Sequence, residues 1–153
     1  MPQRSPFRHA RTVTFGECDP AGVVYFPRYF DWFHQAMEAW FGEALGLPYA
    51  QVLERHGFPS AHAEADYKRP CRPGERLTVE LRVGELGGSS LRLDFRVVGA
   101  DLALRATGLS RVVMIGLQPG APDWFRPVRI PEDLRARIVA FGVGEAPAGA
   151  PGT

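Results

Sequence analysis

The sequence predicts an α+β fold, with an antiparallel sheet curled around one long, central, apolar helix. Three observations predict it. Apolar residues recur at helical spacing from Pro27 to about Leu45. From Phe58 to Gly116 they alternate instead with polar ones, the pattern of antiparallel strands with one solvated face. Repeated strand–helix–strand units are absent, which argues against a doubly wound parallel sheet.

The first strand candidate is His9 to Glu17, where Val13 and Phe15 alternate with Thr12 and Thr14. It runs into Cys18-Asp19-Pro20-Ala21-Gly22, a turn sequence. Pro27 suits the first turn of a helix, where its missing N–H costs nothing. Phe30, Phe33, Met37, Trp40, Phe41 and Leu45 form the stripe, which Trp32 and Ala36 widen, so this helix must be largely buried. Gly46 and Pro48 end it. A shorter helix, about Tyr49 to His56, stops at Gly57. Val79, Leu81 and Val83 then alternate with Glu80 and Arg82, and Leu91, Leu93, Phe95 and Val97 with Arg92, Asp94 and Arg96. Gly87-Gly88 and Gly99-Ala100-Asp101 supply the connections, and the last strand region is about Leu102 to Ile115. Pro119, Pro122 and Pro127 mark a loop, and Pro131 to Phe141 reads as a terminal helix. Residues 1–142 are expected to form one domain, and 143–153 a disordered tail with too little to bury.

Bulk composition narrows the function. The chain has 153 residues and a net charge of +1, without the basic excess of nucleic-acid binders. Its two cysteines, Cys18 and Cys71, make neither a CxxC pair nor a disulfide framework. The N-terminal residues lack an apolar signal core, and no stretch approaches the roughly 20 apolar residues of a membrane span. A cytoplasmic protein that binds neither nucleic acid nor membrane is the expectation. Four scattered histidines and two distant cysteines offer no metal-ligand spacing, so no metal is expected.

The segment Phe15-Gly-Glu-Cys-Asp-Pro-Ala-Gly-Val-Val-Tyr-Phe-Pro-Arg-Tyr-Phe30 concentrates the chemistry. Asp19 is a carboxylate in a turn just ahead of a helix. The backbone N–H groups of a helix's first turn lack intrahelical partners, and with the helix dipole they attract negative charge. Gly22 permits a sharp turn and close approach of a ligand. A carboxylate beside an oxyanion site suits acyl transfer. A carboxylate is a weak nucleophile, so the leaving group must be good. A thiol, with a pKa near about 8.5, leaves as thiolate without a strong acid. No Ser–His or Cys–His arrangement suggests amide cleavage.

Cys18-Asp19-Pro20-Ala21-Gly22-Val23-Val24-Tyr25 and Pro27-x-Tyr29 resemble the signature of hotdog-fold acyl-CoA thioesterases of the 4-hydroxybenzoyl-CoA thioesterase family. The order of elements extends the resemblance from about His9 to Ile115. It implies a sheet of five or six strands wrapping a long helix. It also implies a homodimer with a joined sheet, often paired into a homotetramer, with active sites at the subunit interface. The family's catalytic Asp falls on Asp19, as nucleophile or as general base, and its carbonyl-polarising backbone N–H on Phe26. An ionised Asp of ordinary pKa is a feeble base, which favours direct attack through a mixed anhydride. The expected substrate is an aromatic, 4-hydroxybenzoyl-like CoA ester. Coenzyme A belongs to the substrate, so no separate cofactor is expected. The alternative is a non-catalytic acyl-CoA-binding or regulatory protein of the same fold.

Substrate-binding candidates are Gly22, Tyr25, Tyr29, His62, Lys68 and Arg69. The sequence departs from some relatives at Glu85-Leu-Gly-Gly-Ser-Ser90, which has no basic residue to hold coenzyme A phosphates. Lys68, Arg69 and Arg72 form the best basic cluster instead. Glu17 reads more simply as exposed than as a partner of Asp19, His34 as a core or interface residue, Glu38 as part of a polar seam, and Cys18 as a packed thiol.

Overall fold

A computed structural model describes residues 4–144. Seven strands and three α-helices follow one another as β1 (Phe7–Thr12), α1 (Arg28–Glu43), α2 (Tyr49–Val52), β2 (His56–Gly57), β3 (Ser60–Tyr67), β4 (Arg76–Leu86), β5 (Ser90–Gly99), β6 (Leu104–Val113), β7 (Ile115–Gly116) and α3 (Glu132–Phe141). Five strands form one sheet in the order β1-β4-β5-β6-β3, every pairing antiparallel. The two-residue strands β2 and β7 pair separately.

Alternation decides which sheet face is covered. Leu77, Val79, Leu81 and Val83 of β4 and Leu91, Leu93, Phe95 and Val97 of β5 are buried, while Glu80, Arg82, Arg92 and Asp94 keep partial access to solvent. Burying each large aliphatic or aromatic side chain contributes roughly 1.5–3 kcal/mol. The helix supplies the other side of this core with Tyr29, Trp32, Phe33, Ala36, Met37, Trp40 and Phe41, all buried. Phe33 stacks on Phe95 with ring centroids 4.6 Å apart. Gly108 of β6 makes room for it, because a Cβ there would collide with the Phe33 ring and lie 2.9 Å from the Glu64 carbonyl.

Three boundaries differ from the expectation. β1 ends at Thr12, and Phe15–Glu17 is one 3₁₀ turn that leaves Phe15 exposed. Glu17 folds back onto the backbone N–H and hydroxyl of Thr14, a local cap that outcompetes continued pairing. The second helix is a single turn over Tyr49–Val52, and His56–Gly57 pairs with β7 instead. α1 spans 16 residues, with Pro27 at its N-cap and Ala44 at its C-cap. At the far end, Val143 bridges Val83 and the Gly144 N–H donates to the Val83 carbonyl, so the first two residues of the expected tail are tied to β4. Residues 145–153, the rest of that tail, lie outside the described residues.

Candidate active site

Cys18 to Val24 forms a small hairpin that carries Asp19. Cys18 bridges Val24, the Asp19 N–H donates to the Val23 carbonyl at 2.9 Å, and the Gly22 N–H donates to the Asp19 carbonyl at 2.9 Å. Oδ1 of Asp19 accepts the Ala21 N–H at 2.8 Å, an Asx turn that fixes the carboxylate's direction. Gly22 adopts φ +77°, a left-handed conformation that side chains resist. Two further bonds hold the loop to the body: the Val24 N–H to the Cys71 carbonyl and the Tyr25 N–H to the Glu17 carbonyl, both 2.9 Å.

The expectation that helix α1 offers a full set of free N–H groups needs correction. The N–H groups of Arg28, Tyr29 and Phe30 are taken by the carbonyls of Tyr25, Phe26 and Pro27. Among the described residues, the Phe26 N–H has no acceptor. Its carbonyl is pinned by the Tyr67 hydroxyl at 3.0 Å, which fixes the peptide plane that follows. Tyr67, at the end of β3, is a residue that sequence reasoning missed. The rings of Phe26, Tyr67 and Tyr29 form an edge-to-face cluster. Tyr25 and Phe26 are exposed beside it.

Tyr29 lies beneath this surface rather than on it. It is buried and donates to the buried Cys71 thiol at 3.3 Å. Burial and the shared hydrogen bond push the Tyr29 hydroxyl well above its ordinary range, and burial pushes the Cys71 thiol up as well. Both stay protonated, and the pair braces the loop from inside. Cys18 is a free, partly buried thiol whose nearest polar partner is the Thr14 carbonyl.

The expected exposure of Glu17 is overturned. It accepts from Arg11 at 2.6 Å, from the Trp32 indole at 2.5 Å, and from the N–H and hydroxyl of Thr14 at 2.9 and 3.0 Å. Arg11 also lies 4.4 Å over the Trp32 ring. Burial alone would raise this carboxyl, but the Thr14 N–H, Trp32, the Thr14 hydroxyl and Arg11 together hold it below the ordinary glutamate value. The sequence hid this pairing, because Arg11 and Glu17 both fall within the expected strand His9 to Glu17, which would hold them apart.

His62 is set apart from these residues. It is exposed on β3 with Nε2 3.9 Å from Glu64, five residues and roughly 16 Å of strand from Tyr67. Lys68 and Arg69 follow Tyr67 directly, their backbone N–H groups held by the Arg105 carbonyl. They are exposed and, with Arg72, make no ion pair among the described residues. His34 and Glu38 pair with each other at 3.0 Å on the exposed side of α1. Among the described residues, no group of His, Cys, Asp and Glu could hold a metal ion. No helix is long and apolar enough to cross a membrane.

A pocket of about 310 Å³ lies between α1, at Phe30, Phe33 and Met37, and the inner sheet face at Ala63, Phe95 and Ser110. Neither Asp19 nor Phe26 lines it. It borders β3, whose outer edge has no strand partner among the described residues.

Comparison with known proteins places the chain in a family. Residues 13–138 match the family model of the Thioesterase-like superfamily. A 1,4-dihydroxy-2-naphthoyl-CoA hydrolase of Synechococcus elongatus is 38% identical over 94 residues, covering 60% of this chain and 68% of that one. One of Prochlorococcus marinus is 30% identical over 144 residues, covering 88% and 91%. Among solved structures, a 1,4-dihydroxy-2-naphthoyl-CoA thioesterase from Synechocystis superposes with a TM-score of 0.77 at 25% identity, over 87% of this chain and 95% of that one.

Proposed function

The chain belongs to the Thioesterase-like superfamily and is a thioester hydrolase; from that premise, we propose that it hydrolyses an aromatic acyl-CoA, with Asp19 attacking and the Phe26 N–H polarising the carbonyl. The observation that carries this reading is an uncommitted Phe26 N–H on the same loop, seven residues on from a carboxylate held by an Asx turn. A thioester oxygen that accepts this N–H gains stabilisation as negative charge develops on it. An Asp19 oxygen bonds to the carbonyl carbon, the C–S bond breaks, and coenzyme A leaves as thiolate. Water then cleaves the mixed anhydride to free acid and regenerated carboxylate. The alternative role, Asp19 deprotonating the attacking water, uses the same two groups.

The aromatic preference is supported by four phenylalanines around the pocket and by the names of the relatives. Those names point to a dihydroxynaphthoyl group, larger than the hydroxybenzoyl group that the loop motif suggests. Lys68 and Arg69 extend from the end of β3 that holds Phe26, and in this reading they meet the coenzyme A phosphates.

Two subunits complete the site. Tyr67 holds Phe26 at one end of β3, while Ser60 borders the pocket at the other, roughly 23 Å away along the strand. A two-fold antiparallel pairing of free β3 edges sets Tyr67 of each subunit beside the partner's Ser60. One subunit's Asp19 loop then serves the other's pocket, in a homodimer with a continuous sheet.

The test is release of coenzyme A thiol from aromatic and aliphatic CoA esters by the protein and its Asp19→Asn variant. Preferential turnover of an aromatic ester that depends on Asp19 supports the reading. Binding of esters without release would replace it with a non-catalytic acyl-CoA binder.

A further inference from the structure

The pocket contains a polar feature that apolar packing does not explain. On the inner face of β6, Ser110 stands between Gly108 and Val112, opposite Ala63 on β3 and Leu93 on β5. A serine on this face has no packing advantage over alanine. Its hydroxyl lies 3.2 Å from that of Ser60.

Ser60 reaches this position through an irregularity. In a regular strand, Ser60 shares a face with His62 and Glu64, while Ala63 faces the other way. The β3–β6 register shifts between Ser60 and His62, and with that bulge Ser60 and Ala63 both line the pocket. Bulges often re-aim a side chain in this manner.

The hydrogen bonds also have a direction. The Ser60 hydroxyl donates to the His62 carbonyl at 3.2 Å. Its proton is then committed, so the Ser110 hydroxyl donates to Ser60. What remains facing the pocket is the Ser110 oxygen as an acceptor. It matches a donor on the ligand, such as a phenolic O–H, and does not match an ether at the same place.

We propose that the Ser60–Ser110 pair is a specificity element that accepts a hydrogen bond from a ring hydroxyl of the acyl group. This rests on the aromatic thioesterase reading above. The pair acts on substrate selection and takes no part in the bond-breaking step.

The test compares kcat/KM for benzoyl-CoA, its 2-, 3- and 4-hydroxy esters, the matching methoxy esters, and 2-naphthoyl-CoA and its 1,4-dihydroxy ester. It uses the unaltered protein and the variants Ser110→Ala, Ser60→Ala and Ser110→Thr. The expected result is a preference of about tenfold for at least one hydroxylated ester over its unsubstituted parent, the size of one neutral hydrogen bond. Its methoxy counterpart gains nothing. Ser110→Ala abolishes the preference and leaves the unsubstituted ester within about threefold, while Ser110→Thr retains it. Equal rates for hydroxylated and unsubstituted esters, or a preference that survives both alanine variants, would overturn the proposal while leaving the thioesterase reading intact. Absence of turnover with every ester would overturn both.

Discussion

In the proposed mechanism Asp19 and Phe26 divide the chemistry between a side chain and a backbone group, and substitution separates them. Asp19→Asn keeps the hydrogen bond to the Ala21 N–H but loses the charge. It is expected to lower kcat by at least about 100-fold with an unchanged melting temperature. Tyr67→Phe removes the hydroxyl that pins the Phe26 carbonyl. It should lower kcat by about tenfold with little change in KM, because freeing the Phe26–Pro27 peptide lets the backbone at Phe26, and with it the neighbouring N–H, drift from the developing oxyanion. Glu17 gives a pH signature. Its carboxyl is held below the usual value in the folded state, so its stabilisation is complete above the unfolded pKa of about 4.3 and is lost as pH falls through the lower folded pKa. The melting temperature of Glu17→Gln should therefore lie below that of the unaltered protein at neutral pH, and the gap should close on acidification below about pH 4. The turn that carries Asp19 and Gly22 was legible because its hydrogen bonds close within eight residues of chain. Tyr67 was not, because its bond to Phe26 crosses 41 positions and no local pattern announces it.

At the scale of elements, hydrophobic period read well and local side-chain chemistry read poorly. α1 and strands β4 and β5 follow from their apolar spacing, since burial of one face decides register. β1 was extended too far because Val13 and Phe15 continue the alternation while Glu17 caps the backbone instead. The bulge in β3 left no trace in Ser60-Ala-His-Ala-Glu-Ala-Asp-Tyr67, where alanine and polar residues alternate without a break across the shift. Gly108 tests the packing of α1 on the sheet. Gly108→Ala should destabilise the protein by about 1–3 kcal/mol in denaturant unfolding, because either the Phe33 ring or β6 must move. An unchanged midpoint would mean that Phe33 has room the packing does not provide.

For the molecule as a whole, the β3 edge that has no strand partner among the described residues and the separation of loop from pocket underlie the proposal that one chain is an incomplete catalyst. Subunit mixing tests this. Asp19→Asn lacks the carboxylate, and Ala63→Phe obstructs the pocket beside Ser110. Each alone should be nearly inactive, and after unfolding and refolding together they should recover about one quarter of normal activity, from one intact site in each mixed dimer. No recovery from refolded mixed dimers would place loop and pocket of each site in the same chain. In the sequence the proposed arrangement rests on the family resemblance alone, since no single chain records which surfaces meet.

The most direct measurement is thiol release followed with a dye across 1,4-dihydroxy-2-naphthoyl-, 4-hydroxybenzoyl-, benzoyl-, phenylacetyl-, acetyl-, hexanoyl- and palmitoyl-CoA. The account predicts kcat/KM above about 10⁴ M⁻¹s⁻¹ for an aromatic ester, and its collapse in Asp19→Asn. Release that is undiminished in Asp19→Asn, or confined to aliphatic esters, would contradict it.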